Sequence, residues 1–134
     1  LKVVYKVNDS IEASELSDVF KKAGLKRPVH DLPRLEKMIQ QADLLLTARV
    51  EGQVIGVARA ITDFHYCCYL SDLAVNKDYQ SMGVGKELVR ILQKEIGDDV
   101  SLLLLSSQEA MTYYPKIGFS KVDNGFVIPR KNSF

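Results

Sequence analysis

The period of apolar and polar positions changes several times along this chain, and the changes mark out its elements. Residues 2–7 alternate like a short strand, and Leu16, Val19, Phe20 and Ala23 then fall on one face of a helix that should end near Gly24. After the basic stretch Lys26-Arg27-Pro28-Val29-His30, Asp31 is placed to cap a second helix whose apolar stripe is Leu35, Met38, Ile39 and Ala42. Leu44–Val50 and Gln53–Thr62, joined at Glu51-Gly52, predict a β-hairpin, and residues 66–75 extend it into an antiparallel meander. Val84, Leu88, Ile91, Leu92 and Ile96 then share a face of a third helix.

Residues 100–105 form an uninterrupted apolar run of the kind expected for a strand buried on both faces. Strand, helix and buried strand make a crossover unit, which should be right-handed and hold its ligand at the carboxyl ends of the strands. Ser106, with Glu109 three residues on, has the pattern of a capping box opening a fourth, short helix that Pro115 and Gly118 bring to an end. Two last strands, at about residues 119–122 and 126–129, flank an Asp123-Asn124-Gly125 turn. These strands also offer a surface on which a homodimer can form. The expectation is a single domain over residues 1–134.

Composition narrows the picture further. Eighteen basic against seventeen acidic residues leave a net charge of +1, so no general attraction to nucleic acid is expected and any anion site must be local. No apolar run approaches the roughly 20 residues of a membrane span. The two cysteines, Cys67 and Cys68, are adjacent, which suits neither a disulfide framework nor a zinc site, and no metal site is expected. With no signal-peptide pattern at residues 1–7, a reducing, cytoplasmic setting is expected.

One segment carries candidate chemistry. Gln80-Ser81-Met82-Gly83-Val84-Gly85-Lys86 joins an apolar strand to the third helix, and such a turn aims backbone N–H groups and the positive end of a helix dipole at one point. A pyrophosphate suits that point, and glycine lets it approach the backbone. A plain flexible strand-to-helix loop is the other reading. The spacing is neither that of a Walker loop nor that of a dinucleotide fingerprint.

A second segment, Ala110-Met111-Thr112-Tyr113-Tyr114-Pro115-Lys116-Ile117-Gly118-Phe119, follows at a distance. Leu73-Ala74-Val75, four spacers and the Gln80–Gly85 turn, with this later segment, resemble the GNAT superfamily of N-acetyltransferases over nearly the whole chain. The resemblance implies an α/β fold: a mixed central sheet of about six to seven strands with a splayed parallel pair, flanked by about four helices. It implies acetyl-CoA as cosubstrate, its pantetheine arm paired with the backbone at Leu73, Ala74 and Val75. Its pyrophosphate would rest on Gln80, Ser81, Met82, Gly83, Val84, Gly85 and Lys86. Ser107 stands where many members have an asparagine that contacts CoA.

The implied reaction moves an acetyl group to a primary amine, on a small molecule or a peptide, by direct attack in a ternary complex. A non-catalytic CoA-binding module of the same fold is the alternative. Tyr114 matches the family tyrosine that protonates the departing sulfur, although Pro115 replaces the commoner acidic residue beside it, and an aromatic anchor is its other role. The base is open: relatives place glutamate or histidine where Tyr69 and Ser71 stand. Asp72, His65 and a water relay to backbone carbonyls are the candidates. Asp72 lies at odd parity to Tyr69 and Ser71, so it should project from the opposite face unless a bulge intervenes. The Lys26–His30 loop is a candidate acceptor rim, whose charge disfavours a polycation.

Overall fold

A computed structural model describes residues 1–134. The chain falls into two compact units, residues 1–104 and 105–134. The first contains a five-stranded sheet in the order β1-β2-β3-β4-β5, with strands Val4–Val7, Leu44–Val50, Gln53–Thr62, Cys67–Val75 and Ser101–Leu103. The first four are antiparallel, and β5 runs parallel to β4. The helices are α1 (Ala13–Ala23), α2 (Leu32–Gln41) and α3 (Val84–Ile96).

Local chemistry sets the helix ends. The Glu12 N–H donates to Glu15 Oε1 at the start of α1, and Gly24, at φ 70°, closes it in the left-handed conformation that glycine adopts without a Cβ penalty. Asp31 caps α2 by accepting from the Arg34 N–H at 3.1 Å, as its position predicts.

The helices cover both faces of the sheet. Leu16, Val19 and Phe20 of α1 and Leu35 of α2 gather with Leu45, Val54, Val57 and Ala74. The other face receives α3, and there Gly56 of β3 carries the closest approach: a Cβ would come within 3.1 Å of Val84 Cγ1 and 3.4 Å of Ala48 Cβ and Leu88 Cδ1. A glycine inside a strand thus seats the first turn of α3 on the sheet backbone.

Two irregularities shape the sheet. The register between β2 and β3 shifts after Ala48, leaving Ile55 without a partner, and its carbonyl instead accepts from the Asn76 N–H at 2.8 Å. The register between β3 and β4 shifts after Arg59, from Arg59 opposite Asp72 to Ala60 opposite Leu70, so Ser71 is the bulged residue.

The mixed sheet with flanking helices stands, but five strands and three α-helices replace the expected six to seven and four. The run at 100–105 yields only Ser101–Leu103, an edge strand, and its Leu103 is 51% exposed, so burial on both faces is not realised. In the second unit the helix expected from Ser106 is instead a pair of 3₁₀ turns, Gln108–Ala110 and Tyr114–Ile117. The Ser106 hydroxyl donates to the Ser107 carbonyl and does not form the expected cap, while Pro115 brings no N–H to an i→i−4 ladder. The bonds that form are of the i→i−3 kind, such as Tyr113 N–H to Ala110 O and Lys116 N–H to Tyr113 O. The strands expected at 119–122 and 126–129 are not formed, and Phe126 and Ile128 are almost fully exposed. An isolated two-stranded hairpin is marginal without a further layer.

Gly56→Val should destabilise the fold by about 1–3 kcal/mol through overpacking against Val84 and Leu88. Urea unfolding of parent and variant is the measurement, and an unchanged midpoint would remove the close-approach role.

Candidate active site

Strand β4 organises the site because it has two different neighbours. On one side it pairs with β3 from Thr62–Cys68 to Gly56–Val75. On the other, β5 pairs only at Cys67, Tyr69 and the residue between them, with Ser101, Leu102 and Leu103 as partners. Beyond Tyr69 the parallel pairing stops, because β5 ends at Leu103. Ser71, Leu73, Ala74 and Val75 therefore lie on a stretch that has a strand neighbour on the β3 side alone, as a splayed pair would also leave it.

The bulge falls just past the last residue paired with β5, and it is held by charge. The Asp72 carboxylate is fully buried, with Arg27 Nε donating to Oδ1 at 2.5 Å and Arg59 Nε donating to Oδ2. Arg27 Nη2 also donates to the Ser71 carbonyl at 2.8 Å, and Arg59 Nη2 to the Ser71 hydroxyl at 3.0 Å. Planar guanidinium forks satisfy both the carboxylate and the irregular backbone beside it. Asp72 is not a free carboxylate: it is the shared acceptor of a strand arginine and a loop arginine. Arg27 comes from the loop between α1 and α2, which is itself tied to α1 by Ser17 Oγ donating to Val29 O at 2.7 Å.

At its carboxyl end β4 runs into the glycine turn. Asn76 is buried, and its side chain accepts from the Asp78 N–H to start a 3₁₀ turn, Lys77–Tyr79. Gln80 Nε2 reaches back to the Val75 carbonyl at 3.0 Å. Ser81 and Gly83 both have positive φ, 71° and 78°. Glu87 N–H enters the α3 ladder at Gly83 O, and Gly83 brings no capping side chain to the N–H groups of Val84, Gly85 and Lys86. This first turn has the chemistry of an anion cradle.

His65 is placed apart from these groups, in the loop ahead of β4 and at the opposite end of that strand from the glycine turn. That loop is ordered by Asp63, whose Oδ1 accepts from the N–H groups of His65, Tyr66 and Cys67 at 2.8–3.1 Å. These three backbone donors hold the Asp63 carboxyl down at about 2. In the second unit Ser107 precedes the first 3₁₀ turn, and the Tyr114 ring stands edge-on to Tyr113 and Phe119 with centroids 5.3 and 5.5 Å away. Burial pushes the Tyr113 hydroxyl pKa up.

The structure thus brings Asp72, Leu73, Ala74 and Val75 together on one strand and Gln80 to Lys86 directly after it. Arg27 lies in the Lys26–His30 loop expected as an acceptor rim, whereas Arg59, Asn76 and Gly56 were not among the candidates. Arg59 carried a signal, since a charged residue inside the apolar run Val57-Ala58-Arg59-Ala60-Ile61 needs a buried counter-charge.

Comparison with known proteins agrees with this geometry. The model of the acetyltransferase (GNAT) domain family matches residues 14–128, and the chain belongs to that family of acyltransferases, which use acetyl-CoA. Among named relatives, a protein of Pyropia yezoensis described as an uncharacterized N-acetyltransferase is 22% identical over 125 residues, 88% of this chain and 70% of its own. The chloroplastic GCN5-related N-acetyltransferase 2 of Arabidopsis thaliana is 31% identical over 80 residues, 56% of this chain and 30% of its own. Among solved structures, a Staphylococcus aureus protein described as a probable acetyltransferase superposes with a TM-score of 0.83 at 23% identity, covering 96% of this chain and all of that one. The aminoglycoside N-acetyltransferase AAC(6')-Iy, solved with CoA, gives a TM-score of 0.72 at 17% identity over 98% and 96% of the two chains.

Asp63 generates a pH prediction. Its folded pKa lies below the ordinary carboxylate value, so its contribution to stability is complete above about 4 and is lost as pH falls through about 2. Asp63→Asn should flatten that part of the acid-unfolding profile. A carboxyl titrating near 4 by NMR in the folded parent would contradict the loop geometry.

Proposed function

We propose that this chain transfers the acetyl group of acetyl-CoA to a primary amine, on a small molecule or a peptide, by direct attack within a ternary complex. The observation that carries the reading is the one-sided stretch of β4 running straight into the glycine turn that opens α3. A diamide arm finds strand backbone at Leu73, Ala74 and Val75, and a diphosphate finds the first-turn N–H groups of Gln80 to Lys86. Ser107 is carried over as a further CoA contact from the motif. Both units are taken as one domain, a reading supported by the family match that runs from residue 14 to residue 128.

For proton transfer, Tyr114 is proposed from the motif as the acid that meets the departing thiolate: a phenol with reference pKa of about 10 is matched to that task. Both Asp72 oxygens are engaged by guanidinium groups, and His65 stands at the far end of β4, so we route the proton of the attacking amine through water to strand carbonyls. A covalent acetyl-cysteine route is disfavoured, because neither cysteine has a sequence-adjacent activating arrangement and Cys68 is buried, which raises its thiol pKa. No helix is long and apolar enough to cross a membrane. The cytoplasmic setting read from the cysteines belongs to this proposal, beside relatives that are chloroplastic.

Acetyl-CoA should raise the thermal midpoint of the parent by mass action, and Gly85→Val should weaken that effect more than it weakens the fold. Unchanged CoA affinity in folded Gly85→Val would remove the phosphate-site assignment. Tyr114→Phe should retain acetyl-CoA binding while slowing single-turnover transfer by roughly 10²-fold. Tyr113→Phe should do less, and equal, near-parental rates would exclude Tyr114 as the acid. Tight acetyl-CoA binding without thiol release over a panel of amines, amino acids, polyamines and peptides would support the non-catalytic module instead.

A further inference from the structure

We propose that Arg27 selects the acceptor, and that the acceptor class is a primary amine carrying a carboxylate or a comparable anionic group close to the nitrogen. This rests on the acetyltransferase reading above. If the arm of the cosubstrate lies along Leu73–Val75 from the glycine turn, its reactive end arrives at about Ser71, four residues or about 13 Å of strand from Val75. The amine must meet it there. The charged groups in contact with that bulge are Arg27 and Arg59, and they share one carboxylate, Asp72.

Two guanidiniums against one carboxylate leave an excess of one positive charge in a largely buried cluster. Asp72 is fully buried, and the Arg59 side chain is 11% exposed. Arg27 is the member open to a ligand, with its side chain 27% exposed. Nε, Nη1 and Nη2 of Arg27 donate to Asp72, the Lys26 carbonyl and the Ser71 carbonyl, and each terminal nitrogen keeps a second hydrogen. The group is held on three sides before any ligand arrives. A carboxylate completing the cluster would cancel the excess charge and accept from a pre-positioned donor.

The surroundings carry the same sign. Lys26 adjoins Arg27, and the loop begins at Gly24, where an added Cβ would come within 3.2 Å of the Lys77 ammonium. Among the acids of α1, α2 and the loop, Asp18 is paired with Lys22, Asp31 accepts from the Arg34 N–H as the α2 cap, and Glu36 is exposed on α2. A polyamine would meet repulsion from Arg27 and Lys26 at this rim, while an amino acid or an acidic amine would not.

The test compares matched acceptors that differ by a carboxylate: β-alanine against propylamine, and leucine against 3-methylbutylamine, with spermidine as the polycation. The kcat/KM for thiol release from acetyl-CoA is expressed per unprotonated amine. The parent should favour the carboxylate-bearing member of each pair by about tenfold or more, the scale of a hydrogen bond to a charged group. In Arg27→Gln that ratio should fall towards one, chiefly through KM for the anionic member, with acetyl-CoA affinity retained. Because Arg27 also braces the bulge, Arg27→Lys serves if the glutamine variant does not fold: its ammonium keeps a charge for Asp72 but loses the fork, and the ratio should drop. A parent without carboxylate preference, a preference for spermidine, or an Arg27 variant that slows both members equally would overturn the assignment. Acetyl-CoA binding with no thiol release to any amine would instead overturn the acetyltransferase reading, and this inference with it.

Discussion

Beyond Tyr69 strand β4 has lost its parallel neighbour on one side, and on that stretch the Asp72 carboxylate between two guanidiniums ties it to β3 and to the α1–α2 loop. A bulge interrupts the ladder at Ser71, which would leave backbone polar groups to be satisfied by some other donor. Arg27 supplies a donor to the Ser71 carbonyl and Arg59 one to the Ser71 hydroxyl, and together they connect the α1–α2 loop, β3 and β4 at one point. Removing the carboxylate would leave two cations facing each other with little solvent, a loss on the order of 3 kcal/mol in a fold whose whole stability is roughly 5–15 kcal/mol.

The same cluster explains a disparity between composition and site. A net charge of +1 over 134 residues gives no hint of an anion preference. Yet this stretch of β4 has positive character at both ends, from a guanidinium at the bulge and from helix N–H groups at the glycine turn. One source is side-chain charge and the other is oriented backbone, and only the first enters a residue count.

This distinction also marks what was legible in the sequence. The hairpin Leu44–Val50 and Gln53–Thr62, the third helix and the glycine turn follow from local periodicity and turn chemistry, and they are found where those patterns put them. The Asp31 cap is equally local. The Arg27–Asp72–Arg59 cluster joins residues 45 and 13 positions apart, and no periodicity connects them. The bulge at Ser71, beside Asp72, is revealed only by the pairing register, while burial still alternates along β4 with Asp72 buried and Tyr69 and Ser71 more exposed. The run at 100–105 misled for a related reason: an apolar stretch states what it would bury, but not whether a neighbour arrives to cover it. In the second unit the Ser106 and Glu109 spacing fitted a cap, and a hydroxyl-to-carbonyl bond one residue away took its place.

Gly56 gives the arrangement a particular mechanical character. Contacts made through long side chains can loosen by degrees, because rotamers take up small displacements. Where α3 meets β3 the spacer is the absence of a side chain, and the next atoms, Val84 Cγ1, Ala48 Cβ and Leu88 Cδ1, are short and stiff or already packed. The separation between the first turn of α3 and the strand beneath it is therefore set by direct contact of side-chain carbons with the strand backbone. Drift in sequence around this contact should be felt as all-or-none loss of the turn's register, with few intermediate geometries between a seated helix and a dislodged one.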